Sequence, residues 1–147
     1  MIIFTMGFTK KTAMEFFNLI KSNEIELVID VRLNNKTQLA GFTKGEDLSF
    51  FLHEICKCKY MHSIEFAPTK EILDSYKKGL ITWDEYEEEY VNLMKNRKNY
   101  YYFHEMFSDY KRVCLLCSET TAENCHRRLL ADLIIETAPA TTKVLHI

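Results

Sequence analysis

Residues 113–119 read Val113-Cys114-Leu115-Leu116-Cys117-Ser118-Glu119, and after a short polar stretch comes Cys125-His126-Arg127-Arg128. The first segment is an apolar run of strand length that ends in a thiol and a carboxylate. The second opens a helical pattern whose apolar positions, Leu129, Leu130, Leu133 and Ile134, fall on one face. A strand feeding polar groups into a strand-to-helix turn is how open α/β sheets build sites at their C-terminal edge. The periodicity predicts a helix from about Thr121 to Glu136. Its inner face holds His126 near the middle and Arg127 at the edge, and Arg128 points to solvent.

Working outward, Leu27-Val28-Ile29-Asp30-Val31 is a second continuous apolar run, broken by one acid, as expected of a parallel strand covered on both faces. Ile2 to Thr5 and Lys143 to Ile147 are further strand candidates, and Lys59 to His62 is a third between them. Helical patterns fill the intervals. Thr12 with Glu15 and Thr82 with Glu85 are capping boxes. Ala13, Phe16, Phe17 and Ile20 share one face, as do Leu48, Phe51, Leu52 and Ile55 after a loop marked by Gly41 and Gly45. Pro68-Thr69 opens a helix closed by Lys77, Lys78 and Gly79, and a short helix holds Phe103, Met106, Phe107 and Tyr110. Strands alternating with helices predict one α/β domain over residues 1–147, a three-layer sandwich around a mostly parallel sheet of about five strands.

Composition narrows the function classes. Charged residues make up 27% of the 147, with 19 basic against 21 acidic side chains and a net charge of -2, so nucleic acid is not a favoured partner. The basic and aromatic stretch from Lys95 to Arg112 keeps helical phase and reads as an ordinary packed helix. No apolar run approaches the roughly 20 residues that span a bilayer, so no membrane partner is expected. Met1 to Thr9 meets Lys10 and Lys11 too soon for a secretory signal, and five cysteines, an odd number, fit a reducing cytoplasm.

Right-handed crossovers place Gly7, Asp30 to Arg32, Cys117 to Glu119, His62 and His146 along one sheet edge. Asp30 and Arg32 are two apart and share a face. Asp30 either pairs with Arg32 or handles a proton, while Arg32 fixes a phosphate or carboxylate. Cys114 and Cys117 resemble a CxxC pair but point to opposite faces of a strand, so Cys114 is a core residue. Cys117, presented to a helix N-terminus and arginines, is either a nucleophile or an inert buried thiol. Cys56 and Cys58 flank a helix end and read as structural. Cys117, Cys125 and His126 could supply zinc ligands with Glu119, but adjacent residues on a helix diverge by about 100°, and no metal is assigned.

With these motifs in place, the chain resembles the bacterial and archaeal family known as domain of unknown function 488. The stretches concerned are Thr5-Met6-Gly7-Phe8-Thr9 (where the family typically ends in serine), Asp30-Val31-Arg32, Gly41-Phe42, Trp83 with Tyr86, and Leu116-Cys117-Ser118-Glu119 with Cys125-His126-Arg127. The resemblance implies a compact α/β fold and a polar pocket formed by these signatures, with no assigned reaction or cofactor. The expected catalytic groups are Cys117, Glu119, His126 and Asp30; the expected ligand-binding residues are Arg32, Arg127, Thr5 and Gly7. The expected function is an enzyme acting on a phosphorylated or nucleotide-like small molecule, its partner a small anionic ligand. The alternative is a non-catalytic module that grips phosphate or nucleic acid with the same arginines.

Overall fold

In the computed structural model, which describes residues 1–36 and 40–147, five parallel strands form one sheet in the order β3-β2-β4-β1-β5. The strands are β1 (Ile2–Gly7), β2 (Leu27–Asp30), β3 (Lys59–His62), β4 (Arg112–Cys117) and β5 (Lys143–His146). The central strands β1, β2 and β4 are almost wholly buried, whereas edge strand β3 alternates between exposed and half-buried positions and β5 is exposed except at Val144. That contrast follows the sequence. LVID and VCLLC lack the polar alternation of KYMH and KVLH.

Among the described residues, six α-helices cover the two faces: α1 (Ala13–Ser22), α2 (Gly45–Cys56), α3 (Lys70–Lys77), α4 (Trp83–Arg97), α5 (Phe103–Met106) and α6 (His126–Thr137). Strand alternation sorts the core into two clusters. Cys114 and Leu116 of β4 join Phe4, Met6, Val28 and the α1 residues Phe16 and Ile20. Val113, Leu115 and Cys117 join Ile3, Ile29, Tyr90 of α4 and Leu130 of α6. The helices after β1 and β2 therefore lie on one face, and the helix after β4 lies on the other. Strand β4, inserted between β2 and β1, sits where consecutive connections diverge, which is where open parallel sheets leave a crevice at their C-terminal edge.

Both capping boxes form: Thr12 and Thr82 each accept from the backbone of Glu15 and Glu85, whose carboxylates return the bond. Several local expectations change. The stretch from Lys95 to Arg112 is not one packed helix: α4 ends at Arg97, Lys98 is left-handed (φ 63°), and α5 spans only Phe103–Met106, short of Phe107 and Tyr110. Gly45 is the first residue of α2 rather than part of a loop, and Ala13 and Ile55 are exposed despite sharing apolar faces. Helix α6 begins at His126 rather than near Thr121, because Cys125 is extended (φ -141°, ψ 134°) and turns its thiol into the core.

Candidate functional site at the C-terminal edge of the sheet

Cys117 ends β4 and is 4% exposed; Cys125 and His126 at the start of α6 are equally enclosed. The two thiol sulfurs and one imidazole nitrogen lie within 4.8 Å of one another. Cys117 Sγ stands 3.8 Å from both ring nitrogens of His126. On its far side, His126 Nε2 lies 2.9 Å from the Val31 carbonyl. A carbonyl only accepts, so Nε2 carries a proton and Nδ1 bears the lone pair in the neutral ring. The Tyr90 ring, 5.4 Å from that of His126, forms part of the wall.

These contacts set the charges. The neighbouring Cys125 side chain holds Cys117 well below the ordinary thiol range, helped by His126 and the Glu119 amide against the opposing effect of burial. The same proximity, with burial, pushes Cys125 up. Burial alone would lower His126, but the Cys117 thiolate and the Val31 carbonyl outweigh it and raise the imidazole. The two sulfurs are thus driven in opposite directions, Cys117 toward the thiolate and Cys125 toward the thiol. Cys114 shows the contrast: on the opposite face, burial drives its thiol far up.

Because Cys125 precedes the helix, the divergence expected between adjacent helical residues does not apply, and the three donor atoms converge. A Cys2His set of this kind could hold a thiophilic divalent ion, and the Val31 carbonyl would act as the outer partner that orients the imidazole.

Arg127 is 1% exposed. Its Nη1 donates to the Glu119 carbonyl at 2.7 Å and Nη2 reaches the Thr120 carbonyl at 3.5 Å. Its Nε has no partner, and among the described residues no carboxylate pairs with it. Leaving a buried guanidinium without a counter-ion is expensive, on the order of several kcal/mol. Lys11 adds a further cation nearby: burial and the charge of Arg127 both lower its pKa.

Asp30 and Arg32 form a buried pair on the other face, that of Phe4, Met6 and Phe8. Arg32 Nε donates to Asp30 Oδ1 at 2.8 Å, and Nη2 donates to Asp30 Oδ2 and, at 2.8 Å, to the Thr43 carbonyl. The Tyr60 hydroxyl donates to Asp30 at 2.7 Å, and the Phe8 ring lies 5.0 Å beneath the guanidinium carbon. Burial disfavours charged Arg32, yet Asp30 more than compensates and raises its pKa; the Cys117 charge contributes in the same direction. Arg32 Nη1 is left without a partner. The carboxylate of Asp30 is fully engaged and acts here as an anchor for Arg32.

The remaining expected residues have distinct positions. Thr5 is buried and hydrogen-bonded to His146 Nδ1 at 2.7 Å. Gly7 pairs with Cys117 across the sheet; a Cβ there would stand 1.5 Å from the Glu119 carbonyl oxygen, so only glycine admits this turn. Glu119 contributes its backbone, and its side chain is exposed, outside the thiol cluster. His62 donates through Nε2 to the Arg32 carbonyl at 2.7 Å. Arg128 pairs with Glu87 and Asp132 at the surface. The sequence offered Cys125 only as a possible zinc ligand with Cys117 and His126, and gave no signal for Tyr60 or Lys11.

The cluster is closed in this structure. A cavity of about 530 Å³ lies at the opposite, N-terminal edge of the sheet against Ile25, Cys56 and Tyr110, and another of about 440 Å³ lies along α1 beside Lys10 and Lys11. Neither is lined by Cys117, His126, Arg32 or Arg127. Residues 119–121 and 123–124, in the turn above the cluster, are exposed. No helix among the described residues is long and apolar enough to cross a membrane.

The family described as Domain of unknown function DUF488 matches residues 12–134, and the chain belongs to it. No curated protein and no solved structure matches the chain.

Proposed function

We propose that this DUF488 protein is a thiol enzyme acting on a phosphorylated or nucleotide-like small molecule, with Cys117 as nucleophile and Arg127 as the principal anion contact. The observation that supports this most is the buried Arg127 guanidinium, without a counter-ion and with a free Nε, in the first turn of the helix that carries His126 onto Cys117. An anionic ligand supplies the missing charge. Arg32, with its free Nη1, is the second donor.

The chemistry follows from the protonation states. Cys117 Sγ attacks the phosphorus of a bound phosphoester, forming a P–S bond as the P–O bond to the leaving group breaks. His126, protonated and held through Nε2 by Val31, donates its Nδ1 proton to the departing oxygen. Water then attacks phosphorus and gives its proton back to His126; the P–S bond breaks and Cys117 departs as a thiolate. Asp30 positions Arg32 in this scheme, and the exposed turn over the cluster is the segment that moves to admit the ligand.

Alkylation tests the reading. Native protein is treated with iodoacetamide with and without inorganic phosphate, and each cysteine is followed by mass spectrometry. Cys117 should react well before Cys58, whose thiol burial pushes up to about 12. Phosphate should protect it in the wild type but not in Arg127→Ala. If Cys117 reacts no faster than Cys58, the nucleophile assignment fails. If phosphate is without effect in the wild type, the anion site fails.

A further inference from the structure

We infer that Cys117 and Cys125 form a reversible dithiol–disulfide couple in which Cys125 resolves oxidised Cys117. The inference deepens the proposed function, since it rests on Cys117 being a reactive thiol beside His126. It adds a second substrate class, small hydroperoxides.

Geometry supplies the argument. The sulfurs lie within 4.8 Å of one another, with His126 as the third member of the cluster. Covalent closure to about 2.05 Å is a short movement along an existing contact. Cys125 can make it because it stands outside α6, in extended backbone at the end of an exposed turn, whereas Cys117 is fixed in β4 by its neighbours β1 and β2. One sulfur sits on irregular backbone and the other in a central strand. The remaining cysteines cannot substitute. Cys114 faces the opposite layer, and Cys56 and Cys58 belong to the α2–β3 junction.

The position of His126 assigns the order of events: both its ring nitrogens stand 3.8 Å from Cys117 Sγ. With an imidazole in reach to take its proton, Cys117 is the sulfur oxidised first. Its sulfur attacks the distal oxygen of a hydroperoxide; an S–O bond forms, the O–O bond breaks, and the alkoxide leaves as alcohol with a proton from His126. The product is the Cys117 sulfenic acid. Cys125, losing its proton to the departing hydroxide, then attacks the Cys117 sulfur, so that an S–S bond forms, the S–O bond breaks and water leaves. The two thiols have supplied two electrons, which reduced the hydroperoxide to alcohol and water. A dithiol reductant returns both cysteines by thiol–disulfide exchange. While the disulfide persists, the nucleophile is blocked and protected from irreversible oxidation.

The test uses the full chain, reduced and then exposed to hydrogen peroxide at a small molar excess, with intact-mass measurement and peptide mapping. The wild type should lose the mass of two hydrogen atoms and yield a Cys117–Cys125 peptide, reversed by dithiothreitol. Cys125→Ser should instead accumulate a Cys117 sulfenic acid trapped by dimedone, then progress to the sulfinic acid. Cys114→Ser should behave as the wild type. The inference is overturned if wild-type Cys117 reaches the sulfinic acid as fast as in Cys125→Ser, if the disulfide joins any other pair, or if Cys117 is not oxidised. Phosphate protection of Cys117 measured on the same preparation stands apart from these outcomes, so a failed disulfide is distinguishable from a failed anion site.

Discussion

Replacing Asp30 with asparagine removes one negative charge from a site where neither partner of the ion pair touches solvent, the side chains of Arg32 and Asp30 being 4% and 0% exposed. The shape is retained, so the loss is electrostatic. In the wild type, Oδ1 accepts from Arg32 Nε and from the Arg32 backbone amide, and Oδ2 accepts from Arg32 Nη2 and the Tyr60 hydroxyl. An asparagine amide put in place of either oxygen sets donor against donor. Breaking a buried pair by neutralising one partner costs about 3–5 kcal/mol, at least about a fifth of the ~5–15 kcal/mol that stabilises a typical domain. Urea denaturation followed by circular dichroism should show that loss as a lower midpoint at unchanged slope. Arg32→Met should cost a similar amount by leaving the carboxylate unpaired. The double variant Asp30→Asn/Arg32→Met should cost far less than the sum, giving a coupling energy of the same few kcal/mol. A loss below about 1 kcal/mol, the range of exposed pairs such as Arg128–Asp132, would refute the reasoning. So would additivity in the double variant.

Four further outcomes follow from the site. The rate of Cys117 alkylation should persist well below the pH at which an ordinary thiol is silenced. Because the folded thiol pKa is depressed, the stability it contributes is present above its unfolded value and is lost as pH falls through the folded one; for His126, raised in the fold, the contribution is full below the unfolded value and is lost as pH rises through the folded one. Stopped-time alkylation and urea melts across pH check both signs. Gly7→Ala drives a Cβ into the Glu119 carbonyl that anchors Arg127, so thermal melting should show a loss of about 1–3 kcal/mol together with loss of phosphate protection. Added zinc should block Cys117 alkylation at one equivalent, reversed by a chelator and weakened in His126→Ala, as read by mass spectrometry. Tyr60→Phe, removing one hydrogen bond to Asp30, should cost about 0.5–1.5 kcal/mol in urea melts.

Much of the fold was legible because it rests on period and punctuation. The apolar runs at β2 and β4 marked central parallel strands, and Thr12 with Glu15 and Thr82 with Glu85 marked helix starts through local chemistry alone. The exchange of faces along β4 separated Cys114 from Cys117 correctly. What escaped depends on non-local contacts. Helix α6 starts late because Cys125 is drawn into the core beside a residue of another strand, which no helical wheel encodes. That single displacement also decides whether the three soft donors converge. Tyr60 lies on an edge strand whose alternation predicts only half-burial; its hydroxyl reaches Asp30 because β3 pairs with β2 in register, Asp30 opposite His62. Lys11 resembled any surface lysine of a helix start until the turn after β1 set it near Arg127.

The two arginines that sequence reading grouped together have different roles in the structure. Arg32 approaches the sheet edge from the α1–α2 face with its charge already matched by Asp30, so a ligand gains from it one directed N–H and little net charge. Arg127 approaches from the α6 face with no matching carboxylate, held only by carbonyls. A carbonyl orients a guanidinium without neutralising it, so the field of Arg127 remains available to an anion. The difference is measurable in phosphate protection of Cys117. Arg127→Lys retains charge but loses the planar fork and should weaken protection partly, whereas Arg127→Ala should abolish it; Arg32→Lys should chiefly lower stability, through Asp30. Equal loss of protection from Arg32→Lys and Arg127→Ala would mean that the ligand charge is shared between the faces, contrary to the division of roles drawn from the buried Asp30 pair.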